Sequence, residues 1–166
     1  VLLQALEGKD QRSTAYHSLL LELIQEAERT AHKPQPRLIF MACVARLVPR
    51  LGLYVVRHFA ALMPLLLEWT HAYDAESSAV ALQVLGQLVL HAWPRMVVHA
   101  GVVRQHAEEV LRQERVEQGD WQQQQQQQQQ EQELGCGATG TGGVGRADVS
   151  IRCQAAQQLL QLLSGL

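Results

Sequence analysis

Two overlapping glycine runs, Gly135-Cys136-Gly137-Ala138-Thr139-Gly140 and Gly140-Thr141-Gly142-Gly143-Val144-Gly145, spell the GxGxxG pattern that brings a backbone close to a dinucleotide pyrophosphate. That chemistry needs a strand before the turn, to aim the following helix N-terminus at the phosphates, and an acid about twenty residues further on for the ribose. Here a polyglutamine tract, residues 122–130, precedes the runs, and neither an acid at that distance nor a Gly-Lys-Ser/Thr follows. The runs read as low-complexity sequence. The seven histidines are spread over most of the chain, and none joins a Cys, His or carboxylate in a metal-binding pattern. His99 and His106 stand about two helical turns apart, too far for one ion. Cys43, Cys136 and Cys153 are odd in number and distant, and Cys43 lies in an apolar run where a thiol is inert. No serine sits in a nucleophile-elbow pattern. Glu68, Asp74 and Glu76 gather at one helix end, where carboxylates cap the helix more readily than they form an acid/base pair. The expectation is no enzyme, with no catalytic residue, no cofactor and no metal.

What remains is a set of large or charged groups near helix ends and turns: Arg57, His58, Trp69, Tyr73, Trp93 and Arg95. Trp, Tyr and Arg dominate binding hot spots, so these six are the candidate protein-binding residues. The competing reading is that the tryptophans are core and the arginines solvated.

The elements that would position them are helices. The organising stretch is 47–73, in which Pro49 and Gly52 are expected to end one helix and a new one to start near Leu53. Val55, Val56, Phe59, Leu62, Met63, Leu66 and Trp69 then recur at three- and four-residue steps, a stripe that must be buried. Pro64 predicts a kink inside that helix, and the short turn predicts antiparallel neighbours. Before it, residues 1–6 read as the tail of a helix ended by Gly8, and Ser13 or Thr14 as the N-cap of the next, which runs to about Thr30. Pro34 and Pro36 break the chain, and residues 37–48 form a shorter helix. After it, Asp74, Ser77 and Ser78 are cap candidates for a fourth helix reaching Trp93, in which Gly86 would admit a close neighbour. A fifth spans about 96–114, with Arg104, Glu108 and Arg112 as an exposed charged ladder. A last helix, residues 149–163, is expected to pair with the fifth.

Val48-Pro49-Arg50-Leu51 and Trp93-Pro94-Arg95-Met96 are alike, and Val55-Val56-Arg57-His58 is echoed by Val102-Val103-Arg104-Gln105-His106. The separation lies within the roughly 40 to 47 residues of two-helix HEAT-type repeats. The fold class expected is all-α, a HEAT-like α-solenoid of antiparallel helix pairs. Residues 1–116 form the helical-repeat domain, 117–146 a disordered polyglutamine and glycine-rich insertion whose glutamines could extend the fifth helix for a while, and 147–166 the last helix packing back on the repeat.

The 166 residues are enough to bury a core without staples, and with 47% hydrophobic but only 5% aromatic residues the apolar content is mostly Leu, Val and Ala. Fourteen basic and sixteen acidic residues give a net charge of −2, with arginines scattered among acids, which argues against a nucleic-acid surface. The apolar runs 38–45 and 60–67 are short of the ~20 residues that span a bilayer. No signal-peptide pattern opens the chain and no methionine starts it, so the expectation is a fragment of a cytoplasmic and nuclear protein.

Arg50-Leu51-Gly52, Val56-Arg57-His58, Tyr73-Asp74 and His91-Ala92-Trp93-Pro94-Arg95, in this order and spacing, resemble the C-terminal region of the Tel-two-interacting protein Tti-two family. The likeness covers roughly residues 13–112; the glutamine and glycine insertion departs from the family pattern. The resemblance implies a HEAT-like, non-enzymatic subunit of the Triple T complex, with Tti-one and Tel-two as partners. That complex acts as a co-chaperone with the Hsp-ninety machinery in maturing phosphatidylinositol-3-kinase-related kinases, and so in the DNA damage response and telomere maintenance. It implies no nucleic acid, membrane or small-molecule substrate. The alternative is a general HEAT-type scaffold in transport or trafficking.

Overall fold

The computed structural model of the chain describes residues 9–30, 32–134 and 145–165. Among them are seven α-helices, one 3-10 segment and no strand. They are α1 (Lys9–Thr30), α2 (Pro34–Leu51), the 3-10 segment Gly52–His58, α3 (Phe59–Thr70), α4 (Ala75–His91), α5 (Trp93–Met96), α6 (Ala100–Leu134) and α7 (Gly145–Ser164). The described chain is all-α, with helices packed on one another. The helix expected over residues 1–6 lies outside the described residues, as does all but the last glycine of the two glycine runs.

The prolines punctuate less than their chemistry led us to expect. Pro34 opens α2 and Pro36 sits in its first turn, where the missing N–H would have had no intrahelical partner. Pro49 lies inside α2, which continues to Leu51. The stop is made by Gly52 alone, at φ 54°, whose N–H reaches back to the Val48 carbonyl. A side chain at that φ would be strained, so glycine is required there. The chain then winds as a 3-10 segment and becomes α-helical only at Phe59, later than the Leu53 expected. Pro64 removes one backbone bond within α3.

At α4 the expected cap is present. Asp74 Oδ2 accepts from the Ser77 N–H at 2.9 Å, and the Arg37 guanidinium of α2 reaches both Asp74 and, at 3.0 Å, Ser77 Oγ. Ser78 Oγ donates to the Thr70 carbonyl, so the buried hydroxyls at this turn have partners. These bonds place the start of α2 beside the start of α4.

Named contacts give the helix directions. Arg50 Nη1 near the end of α2 donates to the Tyr16 hydroxyl near the start of α1 at 3.2 Å, so α1 and α2 are antiparallel. Arg104 Nη2 at the start of α6 donates to the Leu163 carbonyl at the end of α7 at 3.1 Å, and Glu114 faces Arg152 at 3.1 Å, so α6 and α7 are antiparallel too. With α3 and α4 between them, three hairpins lie side by side. The second members, α2, α4 and α7, pack closely in that order, whereas α1, α3 and α6 touch lightly. The last helix was expected on the helix before it; it packs there, and more heavily still on α4. Gly86 is the reason: a Cβ built on it would lie 3.3 Å from Leu162 Cδ1.

One continuous apolar cluster runs through all three hairpins, from Leu20 and Ile24 through Val44, Leu66 and Leu85 to Val103 and Leu159. The stretch Pro34–Thr70 has a window of mean hydropathy 1.7 and is long and apolar enough, by those measures, to cross a membrane. Gly52 and the 3-10 segment break it, and Val44, Val48, Leu62 and Leu66 are buried in this chain's own core.

Residues 117–134, assigned from composition to a disordered insertion, continue α6 in one unbroken helix to Leu134. Glutamine is a fair helix former, and extending an existing helix avoids the cost of nucleating one. Residues 135–144 of that segment lie outside the described residues.

Candidate protein-binding surface

Five of the six candidates lie at helix ends and Tyr73 in the loop between α3 and α4, and they divide into two groups. Arg57 and His58 close the 3-10 segment, at the start of α3; Trp93 and Arg95 belong to α5, just past the end of α4. In the α3/α4 hairpin these are the same end, and the Phe59 and His99 rings, edge to face with centroids 5.6 Å apart, tie that end to the start of α6. Trp69 and Tyr73 lie at the opposite end, about 25 Å away along α4.

Trp69 is core. It is 2% exposed and meets the edge of Phe40 of α2 at 5.4 Å, so the reading of tryptophan as packing holds there and no partner can reach it. Tyr73 is fully exposed in the loop between α3 and α4. Trp93 presents part of its ring to solvent, at 37% exposure, next to exposed Arg95, Val97 and Val98. Exposed Leu53 and Tyr54 of the 3-10 segment lie at this end as well, and the Arg57 guanidinium stands 5.8 Å from the Tyr54 ring centroid, a cation–π contact. Exposed candidates therefore lie at both ends, Tyr73 at one and Arg57, Trp93 and Arg95 at the other, the latter with exposed Tyr54, Val97 and Val98.

His58 has a partner that the sequence did not predict. Its Nε2 lies 2.8 Å from Nδ1 of His17 on α1, and the His17 ring is edge-on to Tyr54. Burial lowers the His58 pKa below its ordinary value, with His17 and Arg57 adding to the effect; His17 is lowered by burial and then by Arg57. A second imidazole pair joins the next two helices of the same row. Nε2 of His71, just past α3, lies 2.9 Å from Nδ1 of His106 on α6. The His106 pKa is lowered by burial and then by His71. Of the four histidines only His58 was a binding candidate; His106 follows the second Val-Val-Arg one residue later than His58 follows the first, an echo that bore only on the repeat.

The charged ladder expected on the fifth helix is differently wired. Arg112 makes a two-pronged pair with Glu109, at 2.8 and 2.7 Å, while Arg104 is engaged with the end of α7. Glu114, one turn on, is buried with Arg152 of α7; burial raises its pKa, and Arg152 partly offsets the rise. Among the described residues no group of three or more His, Cys, Asp or Glu side chains is placed to hold a metal ion.

The chain is similar to an uncharacterized protein of Arabidopsis thaliana, with 27% identity over 111 residues. The match covers 67% of this chain and 25% of that protein, so the chain spans about a quarter of the relative it matches. No family model and no solved structure matches the chain.

Proposed function

We propose that the chain is a HEAT-like α-solenoid segment that works without catalysis, as a binding subunit for a helical protein partner. The observation that carries this reading is the arrangement of three antiparallel hairpins side by side, like helices next to like, around one core. Stacked hairpins of this kind leave helix ends and turns as a continuous face for a partner. Here that face holds Arg57, Trp93 and Arg95 at one end, with exposed apolar residues around them.

The resemblance to the Tti-two family supports naming the partner. On that reading the chain is a subunit of the Triple T complex, active in cytoplasm and nucleus, holding Tti-one directly and Tel-two with it. Through them it would serve the Hsp-ninety-dependent maturation of phosphatidylinositol-3-kinase-related kinases. Apolar burial supplies most of the affinity, and the two arginines set orientation.

Co-expression with the C-terminal region of Tti-one tests the proposal. The two are expected to co-purify at low salt, and Trp93→Ala to weaken capture while circular dichroism keeps its helical signal. Failure to co-purify overturns the Triple T reading. Recovery of transport factors in place of kinase-complex subunits from a cell extract would replace it with a trafficking scaffold.

A further inference from the structure

The light row, α1, α3 and α6, is bridged at both of its junctions by a histidine pair: His17 with His58 between α1 and the 3-10 segment that leads into α3, and His71 with His106 between the end of α3 and α6. An imidazole–imidazole bond at 2.8 or 2.9 Å needs one ring to donate N–H and the other to offer a bare nitrogen. The surroundings say which ring does which. Nε2 of His17 is buried with no hydrogen-bond partner among the described residues. A bare nitrogen there costs less than an orphaned N–H, so the His17 proton is on Nδ1 and His58 Nε2 accepts. At the second pair, Thr70 Oγ1 gives its proton to the Leu67 carbonyl at 2.7 Å, so toward His106 Nδ1, 3.4 Å away, it can only accept. His106 therefore donates from Nδ1, and His71 Nε2 accepts.

Each pair fails when both of its rings are charged. One added proton still leaves one ring to donate and one bare nitrogen to accept, although on His17 it puts an N–H at Nε2 where no acceptor waits; with both rings protonated no lone pair remains between them and two positive charges face each other. The charged groups around them act in opposite directions. Arg57, next to His58 in the chain, opposes added positive charge on the first pair. Glu109, bonded to Arg112 and Gln113, attracts positive charge on His71 and offsets part of the loss at the second pair. Among the described residues no histidine pair bridges the other row: α2, α4 and α7 meet through apolar side chains and the close approach at Gly86, with Arg37 bonding Asp74 and Ser77 where α2 meets α4.

We infer that the two histidine pairs form an acid-sensitive latch, which holds α1, α3 and α6 side by side at neutral pH and lets that row splay open on mild acidification, while the row of α2, α4 and α7 stays packed as a hinge. Opening at the junctions moves Arg57 and Tyr54 relative to Trp93 and Arg95, so a partner that spans them would be released. The latch itself does not depend on who that partner is.

The sign follows from linkage. His17, His58 and His106 have folded pKa values below the usual 6.5, so the closed form binds fewer protons than the open one, and its advantage is lost as pH falls from about 6.5 through those lowered values. Glu114, raised by burial, contributes the opposite slope, because its protonation favours the closed form as pH falls.

The test is amide hydrogen exchange on the full chain at pH 7.5 and 5.5, corrected for the intrinsic pH dependence of exchange. Protection in α1 is expected to fall about tenfold or more at pH 5.5, with α4 and α7 unchanged. The double variant His58→Gln/His71→Gln supplies an amide oxygen that accepts from His17 and His106 at either pH, and its α1 should keep its protection. Equal loss in both rows, no loss in the parent chain, or the same loss in the double variant overturns the latch. Should the variant lose its helical signal, nitrogen-detected titration of the parent's histidines decides alone: each pair must titrate as a coupled unit, and four independent titrations overturn the proposal.

Discussion

The two rows of helices are built from the same chain but joined by different physics. Between α4 and α7 the contact is apolar and close: Leu82 and Gly86 on one side meet Leu159 and Leu162 on the other around a groove of about 270 Å³. Between α1, α3 and α6 the contact is light, and polar rings reach across it. Apolar burial does not depend on direction or pH, whereas a bond between two imidazoles depends on both. On the latch inference, the close row should hold most of the stability of the described chain and the light row should govern how far its hairpins open.

The largest effect that could break this comparison is a cavity in the close row. Leu159 is 1% exposed, and Leu159→Ala is expected to cost about 2–5 kcal/mol in chemical denaturation. A cost under about 1 kcal/mol would mean that α7 is not part of the cooperative core. Next comes overpacking of the same contact. The Cβ that Gly86→Leu adds stands 3.3 Å from Leu162 Cδ1, and the rest of the leucine must displace α7, for a cost of about 1–3 kcal/mol. Gly86→Ala is a milder control, since the end of the Leu162 side chain can shift and alanine is the better helix former.

The matched change in the light row is smaller and depends on pH. His58→Ala removes one part-buried hydrogen bond, worth about 0.5–1.5 kcal/mol at pH 7.5. As pH falls below 6.5 the parent loses that same contribution, so the difference between the two denaturation midpoints should shrink by pH 5.5. A constant difference across that range would show that His58 acts by packing alone.

How much of this could be read from residue order differs along the same lines. The stripe from Val55 to Trp69, the Asp74 cap and the stop at Gly52 are local features, set by spacing and by the conformations particular residues allow, and they were legible. So was the need for a close neighbour at Gly86, but not that the neighbour is α7, which lies far along the chain. Pro34 and Pro36 misled because a proline is cheap in the first turn of a helix, where its N–H would have had no partner, and Pro49 misled because α2 gives up the bond to the Ala45 carbonyl and still continues to Leu51. Of the binding candidates, Trp69 ends the stripe expected to be buried and is buried, whereas Trp93 follows the fourth helix on no such stripe and keeps part of its ring exposed. The histidine pairs were not legible: His58 was singled out as a binding candidate, and nothing in the residue order joined it to His17 or His106 to His71. The buried Glu114–Arg152 pair had no signal, because each residue sits in an otherwise polar stretch.

The smallest expected effect on stability is at Tyr73, which belongs to neither row. It lies in the loop from α3 to α4, its side chain is fully exposed, and the cap that holds this loop is made by Asp74 beside it. Tyr73→Ala should therefore change the unfolding free energy by less than about 0.5 kcal/mol. A rigid exposed aromatic at a hairpin turn is nevertheless a good anchor for a partner that lies along the turns. If the proposed partner reaches this end of α4 as well as the end that carries Trp93, the substitution weakens its capture about tenfold or more with no change in denaturation midpoint. Unchanged capture confines the binding face to the Arg57, Trp93 and Arg95 end, where the light row would open, and makes that row the one that controls binding.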